Sequence, residues 1–453
     1  MSVALVVLAA GCRDYNRFGS TDLSVTTVED LAIGEMDGGA GDAACAAPTD
    51  LFPAVATATR SDGAVSSEVS TIEIGRFTGA ADLEVVALHP AVGMTLGATQ
   101  LARRTTGKNF IPITASTLCA TVMTSGRILQ PGLDDVFSGC DCVNVPTADC
   151  EVRRLHWDAA NGTWGVQTLK TPLQRPSALA VGYVDGDSYA DLVITFNNSP
   201  MPADMGATYA SGTVEVHLGK MDGSFDDAPS AVVSLPQDPS MQALVNPSTV
   251  KLGDFNEDGR TDLAVLGQDG SSSRLVLLLK TKAGGFDVYE DASTTGLSSA
   301  ISGVAVGDVT GDGLVDLVLS STGTPPLLVL EQKANVGPGM DRFNRVAVDI
   351  GGLARRATVL DWDGDGRQDI FVWLEPAAPA DVLRPLLIRR LADGSFLPTT
   401  PGDTPQLVRS EQVPAMTVYG GIAAPRAVDL DGDCLPELLF ADFALGGITV
   451  YGR

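Results

Sequence analysis

Short apolar runs bounded by Gly, Asp or Pro recur along the whole chain, and stretches with the spacing of a long amphipathic helix are few. Runs such as RLVLLLK, DLVLSS and GITVYG are rich in Val, Leu and Ile and read as strands. Between them an Asp/Gly string returns. Residues 253–263 read GDFNEDGRTDL, and relatives stand at 307–317 (GDVTGDGLVDL), 360–370 (LDWDGDGRQDI), 428–438 (VDLDGDCLPEL) and 182–192 (GYVDGDSYADL). Two degenerate copies keep the frame at 75–85 (GRFTGAADLEV) and 126–136 (GRILQPGLDDV). With the second residue of each string as loop position 1, the copies begin at 76, 127, 183, 254, 308, 361 and 429, spaced by 51, 56, 71, 54, 53 and 68 residues.

A second marker keeps step. Six of the loops are followed by a turn ending in an aromatic: GKNF (107–110), NGTW (161–164), DGSF (222–225), GGF (284–286), DRF (341–343) and DGSF (393–396). Each unit parses alike: a strand such as STVKLGDF enters the Asp loop, DLAVLG leaves it, RLVLLLK runs to the aromatic turn, and a fourth strand follows. Seven such units predict an all-β chain, a seven-bladed β-propeller of four-stranded blades. The last unit is one strand short, and the apolar segment LFPAVATAT at 51–59 precedes the first loop. Used as the fourth strand of blade 7, it latches the ring and leaves no long exposed edge. An open solenoid is the alternative. The propeller is expected over 51–453.

Composition narrows the chemistry. Of 453 residues 44% are hydrophobic, enough for a large core, and 49 glycines and 26 prolines suit many turns. The net charge of −26 argues against nucleic acid and favours a soluble acidic surface or bound cations. The three histidines, His89, His156 and His217, fall in or beside predicted strands and read as strand or surface residues. No nucleophile elbow, HExxH, phosphate loop or dinucleotide fingerprint is present.

The Asp loop itself points to a hard cation. In the fourth copy Asp254, Asn256 and Asp258 occupy positions 1, 3 and 5, Gly259 permits the bend, Arg260 offers its carbonyl at position 7, and Asp262 closes the site at position 9. Calcium takes six to eight oxygens, and a donor set without His or Cys disfavours zinc and copper. The alternative is a set of solvated Asp-Gly turns, as Asp222-Gly223 and Asp269-Gly270 are taken to be.

Together the loops and aromatic turns resemble FG-GAP/VCBS repeats, the blades of the integrin α-subunit propeller and of many bacterial surface proteins. The resemblance implies three to five structural Ca²⁺ ions. Blade 5 would use Asp308, Thr310, Asp312, Leu314 and Asp316, and blade 6 Asp361, Asp363, Asp365, Arg367 and Asp369. Blade 7 offers Asp429, Asp431, Asp433 and Glu437, with Cys434 in place of the bend glycine. Blade 3 has Tyr183 at position 1 but keeps Asp185, Asp187 and Asp191; blades 1 and 2, with Arg76 and Arg127 there, are expected to be metal-free.

The N-terminal MSVALVVLAAGC is apolar, too short to span a bilayer, and resembles the signal and lipobox of bacterial lipoproteins, which implies lipidation of Cys12. An ordinary cleaved signal is the alternative. Residues 1–12 are therefore expected to be an address and 13–50, rich in Gly, Ala and Asp, a tether. The chain is expected to be exported, as an outer-membrane or cell-surface lipoprotein or a periplasmic protein that meets the membrane only through its anchor. The other six cysteines favour disulfides. Strand order suggests Cys45–Cys434 as a staple at the closure, with Cys119 close to Cys140 and Cys142 within reach of Cys150; free thiols are the alternative.

These features favour a monomeric, non-catalytic binding or adhesion module with a protein or glycan ligand on the face opposite the Asp loops. Four long insertions, 197–212, 226–247, 375–385 and 397–423, are expected on that face. A propeller enzyme acting on polysaccharide or another extracellular polymer, and an assembly protein of an envelope complex, are the alternatives.

Overall fold

The computed structural model describes residues 57–62, 71–80, 83–89, 98–104, 110–117, 122–128, 133–140, 151–170, 174–200, 212–226, 228–236, 246–269, 272–289, 301–337, 340–362, 367–375, 384–399, 425–428, 436–442 and 447–452. Among them no helix is long and apolar enough to cross a membrane. The chain is an all-β propeller of four-stranded blades.

The strands, in chain order, begin with β1 (Thr57–Asp62). The first blade is β2 (Thr71–Gly75), β3 (Glu84–His89), β4 (Ala98–Arg104) and β5 (Phe110–Thr117). The second is β6 (Val122–Arg127), β7 (Asp134–Gly139), β8 (Val152–Asp158) and β9 (Thr163–Lys170). The third is β10 (Gln174–Gly182), β11 (Asp191–Pro200), β12 (Thr213–His217) and β13 (Ala231–Ser234). Next come β14 (Asn246–Gly253), β15 (Asp262–Asp269), β16 (Ser272–Lys280) and β17 (Phe286–Tyr289). They are followed by β18 (Ile301–Gly307), β19 (Asp316–Ser321), β20 (Leu327–Gln332) and β21 (Phe343–Val348). After them stand β22 (Leu353–Leu360), β23 (Asp369–Glu375), β24 (Arg384–Arg390) and β25 (Phe396–Thr399). The chain closes with β26 (Arg426–Val428), β27 (Glu437–Asp442) and β28 (Gly447–Gly452).

Six four-strand sets each form an antiparallel sheet in chain order, and β26, β27 and β28 form a further sheet whose outer strand is β1. β1 pairs with β28 from Thr57↔Gly452 to Asp62↔Gly447. The strand therefore lies later than the apolar segment 51–59 that sequence hydrophobicity selects; only 57–59 are shared, and 51–56 lie outside the described residues. An outer strand is held by its backbone ladder, so apolar content is a poor guide to its position. The segment 226–247 is likewise not a plain connection, since it contains β13, the third blade's outer strand. His89 ends β3 rather than following it.

One register repeats throughout. The residue before loop position 1 faces the residue at position 9 in every sheet: Gly75↔Glu84, Gly126↔Asp135, Gly182↔Asp191, Gly253↔Asp262, Gly307↔Asp316, Leu360↔Asp369 and Val428↔Glu437. The loop length is thus fixed, and a carboxylate always stands at its base.

The core lies between sheets, not within them. Phe77, Val86, Leu101, Val136 and Leu155 pack between the first two sheets. Phe255, Leu266, Leu277, Val304 and Leu317 do the same between the fourth and fifth. Ile72, Val85, Val428, Leu439 and Ile448 join the last sheet to the first. Burying each such side chain contributes about 1.5–3 kcal/mol, so neighbouring blades hold one another. First strands also touch first strands, as β10 with β14, β14 with β18 and β2 with β26, which makes them the innermost strands.

Close approach of blades explains a glycine. A Cβ on Gly126 would stand 2.5 Å from Val181 Cγ1 of the next blade. Gly126→Ala is expected to destabilise the protein by about 1–3 kcal/mol, seen as a lower urea midpoint with unchanged slope. A midpoint equal to the parent's would show that the blades can part at no cost.

Candidate functional site

Each Asp loop is fixed at two points before its acidic side chains are considered. Position 2 carries a buried apolar residue: Phe77, Ile128, Val184, Phe255, Val309 and Trp362 in the first six blades. Each is packed in the cluster its blade shares with the next. At position 9, Glu84, Asp135, Asp191, Asp262, Asp316, Asp369 and Glu437 are all buried.

That carboxylate stitches the loop to the rest of its blade. Asp262 Oδ2 accepts the amide of Phe255 at 3.0 Å, and Oδ1 that of Lys280, the last residue of β16, at 2.7 Å. Asp316 accepts Thr310 N at 3.0 Å and Gln332 N at 2.8 Å. Asp191 accepts Val184 N at 2.7 Å, Asp185 N at 3.1 Å and Gly219 N at 2.8 Å. Asp369 accepts Arg390 N at 3.0 Å, and Glu84 accepts Phe77 N at 2.9 Å and Thr78 N at 2.7 Å. Sequence reading took position 9 for a ligand alone. The signal for the second role was available, because blades 1 and 2 keep this carboxylate although their positions 1, 3 and 5 are not acidic.

The inner loop is a ladder of side-chain acceptors. Asp254 accepts amides of Asn256 and Asp258 at 3.2 Å and of Gly259 at 2.8 Å. Asn256 accepts Asp258 N at 3.0 Å, and Asp258 accepts Arg260 N at 3.0 Å. The Arg260 guanidinium pairs with Asp258, and its Nε donates to Lys280 O at 2.9 Å. Gly259, with φ of 76°, supplies the left-handed turn. In blade 5 Asp308 accepts Gly311, Asp312 and Gly313 amides at 2.7, 3.1 and 2.8 Å, and the Thr310 hydroxyl at 3.4 Å; Asp312 accepts Leu314 N at 2.9 Å. In blade 3 Asp185 accepts Asp187 N, and Asp187 accepts Tyr189 N, while Tyr183 sits partly buried at position 1.

The carboxylates crowd one another. Burial, then the nearby Asp254 and Asp258, pushes Asp262 up to about 7. Asp316 is pushed up to about 7 by burial with Asp312 and Asp308 adding, and Asp191 to about 6 by burial and Asp185. Among the described residues no Lys or Arg pairs with Asp308, Asp312 or Asp316. The all-oxygen donor set and this repulsion fit a divalent cation of the calcium type. The side chains are not already gathered: among the described residues no group of three or more His, Cys, Asp or Glu converges on one point, since the carboxylates are turned to loop amides.

Where acids are missing, arginines stand instead. Arg103 Nε lies 2.9 Å from Glu84 Oε1 in blade 1, and Arg154 Nη2 lies 2.6 Å from Asp135 Oδ2 in blade 2. Arg127 Nε lies 3.4 Å from Asp134 Oδ1, and the Arg76 amide donates to Asp134 Oδ2.

Phe110, Phe286, Phe343 and Phe396 of the second marker open outer strands and Trp164 is second in β9, whereas Phe225 forms an isolated bridge with Gly219 ahead of β13. Phe286 lies under Lys280 Nζ at 4.7 Å, and Phe396 under the Arg390 guanidinium at 4.3 Å. His217 is buried between Glu215 and the Asp226 carbonyl, whereas His156 is exposed. In blade 6 Asp361 and Asp369 are buried and Arg367 Nε donates to Arg390 O. Asp363, Asp365, Asp429, Asp431 and Asp433 lie outside the described residues, as do Cys12, Cys45, Cys119, Cys142, Cys150 and Cys434. Cys140 is disulfide-bonded, with its partner outside the described residues.

Residues 254–319, from the fourth loop through β19's first part, match the model of the FG-GAP-like repeat. No curated protein matches the chain. An FG-GAP-like repeat on a β-propeller of four-stranded blades fits an integrin α-like FG-GAP propeller.

Proposed function

We propose that this FG-GAP-repeat propeller is a non-catalytic binding module, closed as a ring of seven blades and stiffened by Ca²⁺ in the acidic loops of blades 4, 5 and 6. The observation that carries the calcium reading is blade 5. Asp308, Asp312 and Asp316 crowd one loop with no described Lys or Arg to neutralise them. When bound, the cation supplies charge compensation. Asp254, Asn256, Asp258, the Arg260 carbonyl and Asp262 would hold it in blade 4. Asp308, Thr310, Asp312, the Leu314 carbonyl and Asp316 would do so in blade 5, and Asp361, Asp363, Asp365, the Arg367 carbonyl and Asp369 in blade 6. Asp185, Asp187 and Asp191 of blade 3, and Asp429, Asp431, Asp433 and Glu437 of blade 7, complete the candidate set. In blades 1 and 2 the guanidinium groups of Arg103 and Arg154 supply the positive charge permanently.

This division gives a direct test. Hydrogen exchange should quicken in chelator across 254–262 and 308–316 but not across 76–84 and 127–135. Equal protection of all four segments with and without calcium would remove the metal from the account.

The ligand is proposed to be a protein or glycan bound on the face opposite the Asp loops, with the chain itself displayed as an exported lipoprotein anchored through Cys12. In antiparallel blades the connections between second and third strands, and between blades, share that face. Residues 201–211, 227, 237–245, 376–383 and 400–423 of the long insertions lie outside the described residues. A glycan array and an envelope pull-down, each with and without calcium, test the reading. Retention without turnover is expected, and product release from a captured polymer would replace it with an enzyme.

A further inference from the structure

One group of charges serves neither the loops nor the core. Two residues before the loop-flanking register position, the innermost strands carry Glu73, Lys251 and Arg426 in the first, fourth and last blades, and Ala or Thr in the other four. Arg356 joins them from β22, at a strand irregularity between Arg355 and Thr358 and with φ of 49°. A left-handed backbone at a residue other than glycine costs of order 1 kcal/mol and persists where surrounding structure imposes it.

The partners are unevenly shared. Arg426 Nη2 lies 2.6 Å from Glu73 Oε1, and its Nε donates to Ile72 O at 2.9 Å. Ser125 Oγ donates to the other Glu73 oxygen at 3.1 Å. The side chains of Lys251 and Arg356 make no ion pair or hydrogen bond among the described residues. Lys251, on the fourth blade, stands at the register position of Glu73 and Arg426 on the innermost strands, which touch one another around the propeller, and the charges of Arg426, Glu73 and Arg356 act on it. Burial, with the two arginines adding, lowers the Lys251 ammonium to about 8. Arg356 is exposed and Lys251 and Arg426 are half-buried.

Among the described residues, three cations against one carboxylate leave two positive charges uncompensated, in a chain whose net charge is −26. Like charges in a confined space repel strongly. The fold does not need them, since four blades place a small residue at the same register. We propose that the propeller axis is an anion-binding site, in which Lys251 and Arg356 hold a small divalent oxyanion and the Glu73–Arg426 pair fixes the neighbouring wall. Its charge suits a tetrahedral dianion or a dicarboxylate. The site is independent of calcium.

Titration calorimetry of the full chain in calcium buffer, with sulfate and with succinate as separate probes, tests this. One site per chain is expected for at least one probe, and the stronger binder identifies the geometry. Lys251→Met and Arg356→Met should each weaken binding about tenfold or more, while Lys282→Met, in an exposed turn, should not. Acetylation of Lys251 in the unmutated chain, read by mass spectrometry, should slow when the binding probe is present while that of Lys282 does not. Failure of both probes to bind, unaltered binding in both folded variants, or unchanged Lys251 acetylation would each overturn the site.

Discussion

Replacing Asp316 by alanine should destabilise the protein by about 2–6 kcal/mol, even where no metal is present. The change strands the buried Gln332 N and the half-buried Thr310 N, and each unpaired donor costs about 1–3 kcal/mol. Asp316→Asn keeps the volume but can accept through one atom only, so a loss of about 1–3 kcal/mol is expected. Glu84→Ala is the control. It strands Phe77 N and Thr78 N and removes the ion-pair partner of Arg103, in a blade whose loop lacks the acidic positions. Both alanine variants should unfold earlier in urea, but only the Asp316 variant should lose part of its response to calcium. An Asp316→Ala midpoint within error of the parent would show that the carboxylate does not hold the loop.

Chelation should make stability depend on pH in an unusual direction. Asp262 and Asp316 are pushed up to about 7 and Asp191 to about 6, against 3.8 for an ordinary aspartate. The folded state therefore holds protons that the unfolded state has released. Stability from these groups is present below about pH 4 and is lost as pH rises through 6 to 7. On the proposed reading, calcium would bind the ionised loops and oppose that loss. In excess EDTA the melting temperature should fall by several degrees between pH 5 and pH 8, and saturating calcium should restore it most at pH 8. A flat profile in EDTA, together with no calcium response at pH 8, is the result that would refute this account.

Sequence and structure divide the work in a way that particular residues make plain. The Asp254 loop and its relatives were legible because their spacing is rigid: position 9 must face the residue before position 1, so no copy can drift. The aromatic turns were legible for a similar reason, since Phe286, Phe343 and Phe396 open the outer strands. β1 and β13 were misplaced because outer strands are selected by backbone pairing, which leaves little mark on hydrophobicity. The second role of Asp262 was missed because a carboxylate that binds amides and one that binds a cation look identical in a string of letters.

The order of strands, the unit length and the acidic donor set were determined by the sequence itself, since local alternation and turn chemistry act between neighbours in the chain. Only the tertiary structure decided what lies between units. It placed Phe255 and Trp362 in the seams between blades, brought Arg103 and Arg154 to carboxylates whose loops lack acids at positions 1, 3 and 5, and put Lys251 within the electrostatic reach of Arg356 and Arg426. Those contacts join residues that are distant in the chain, and no local pattern encodes them. They follow from bending one repeated sheet around an axis.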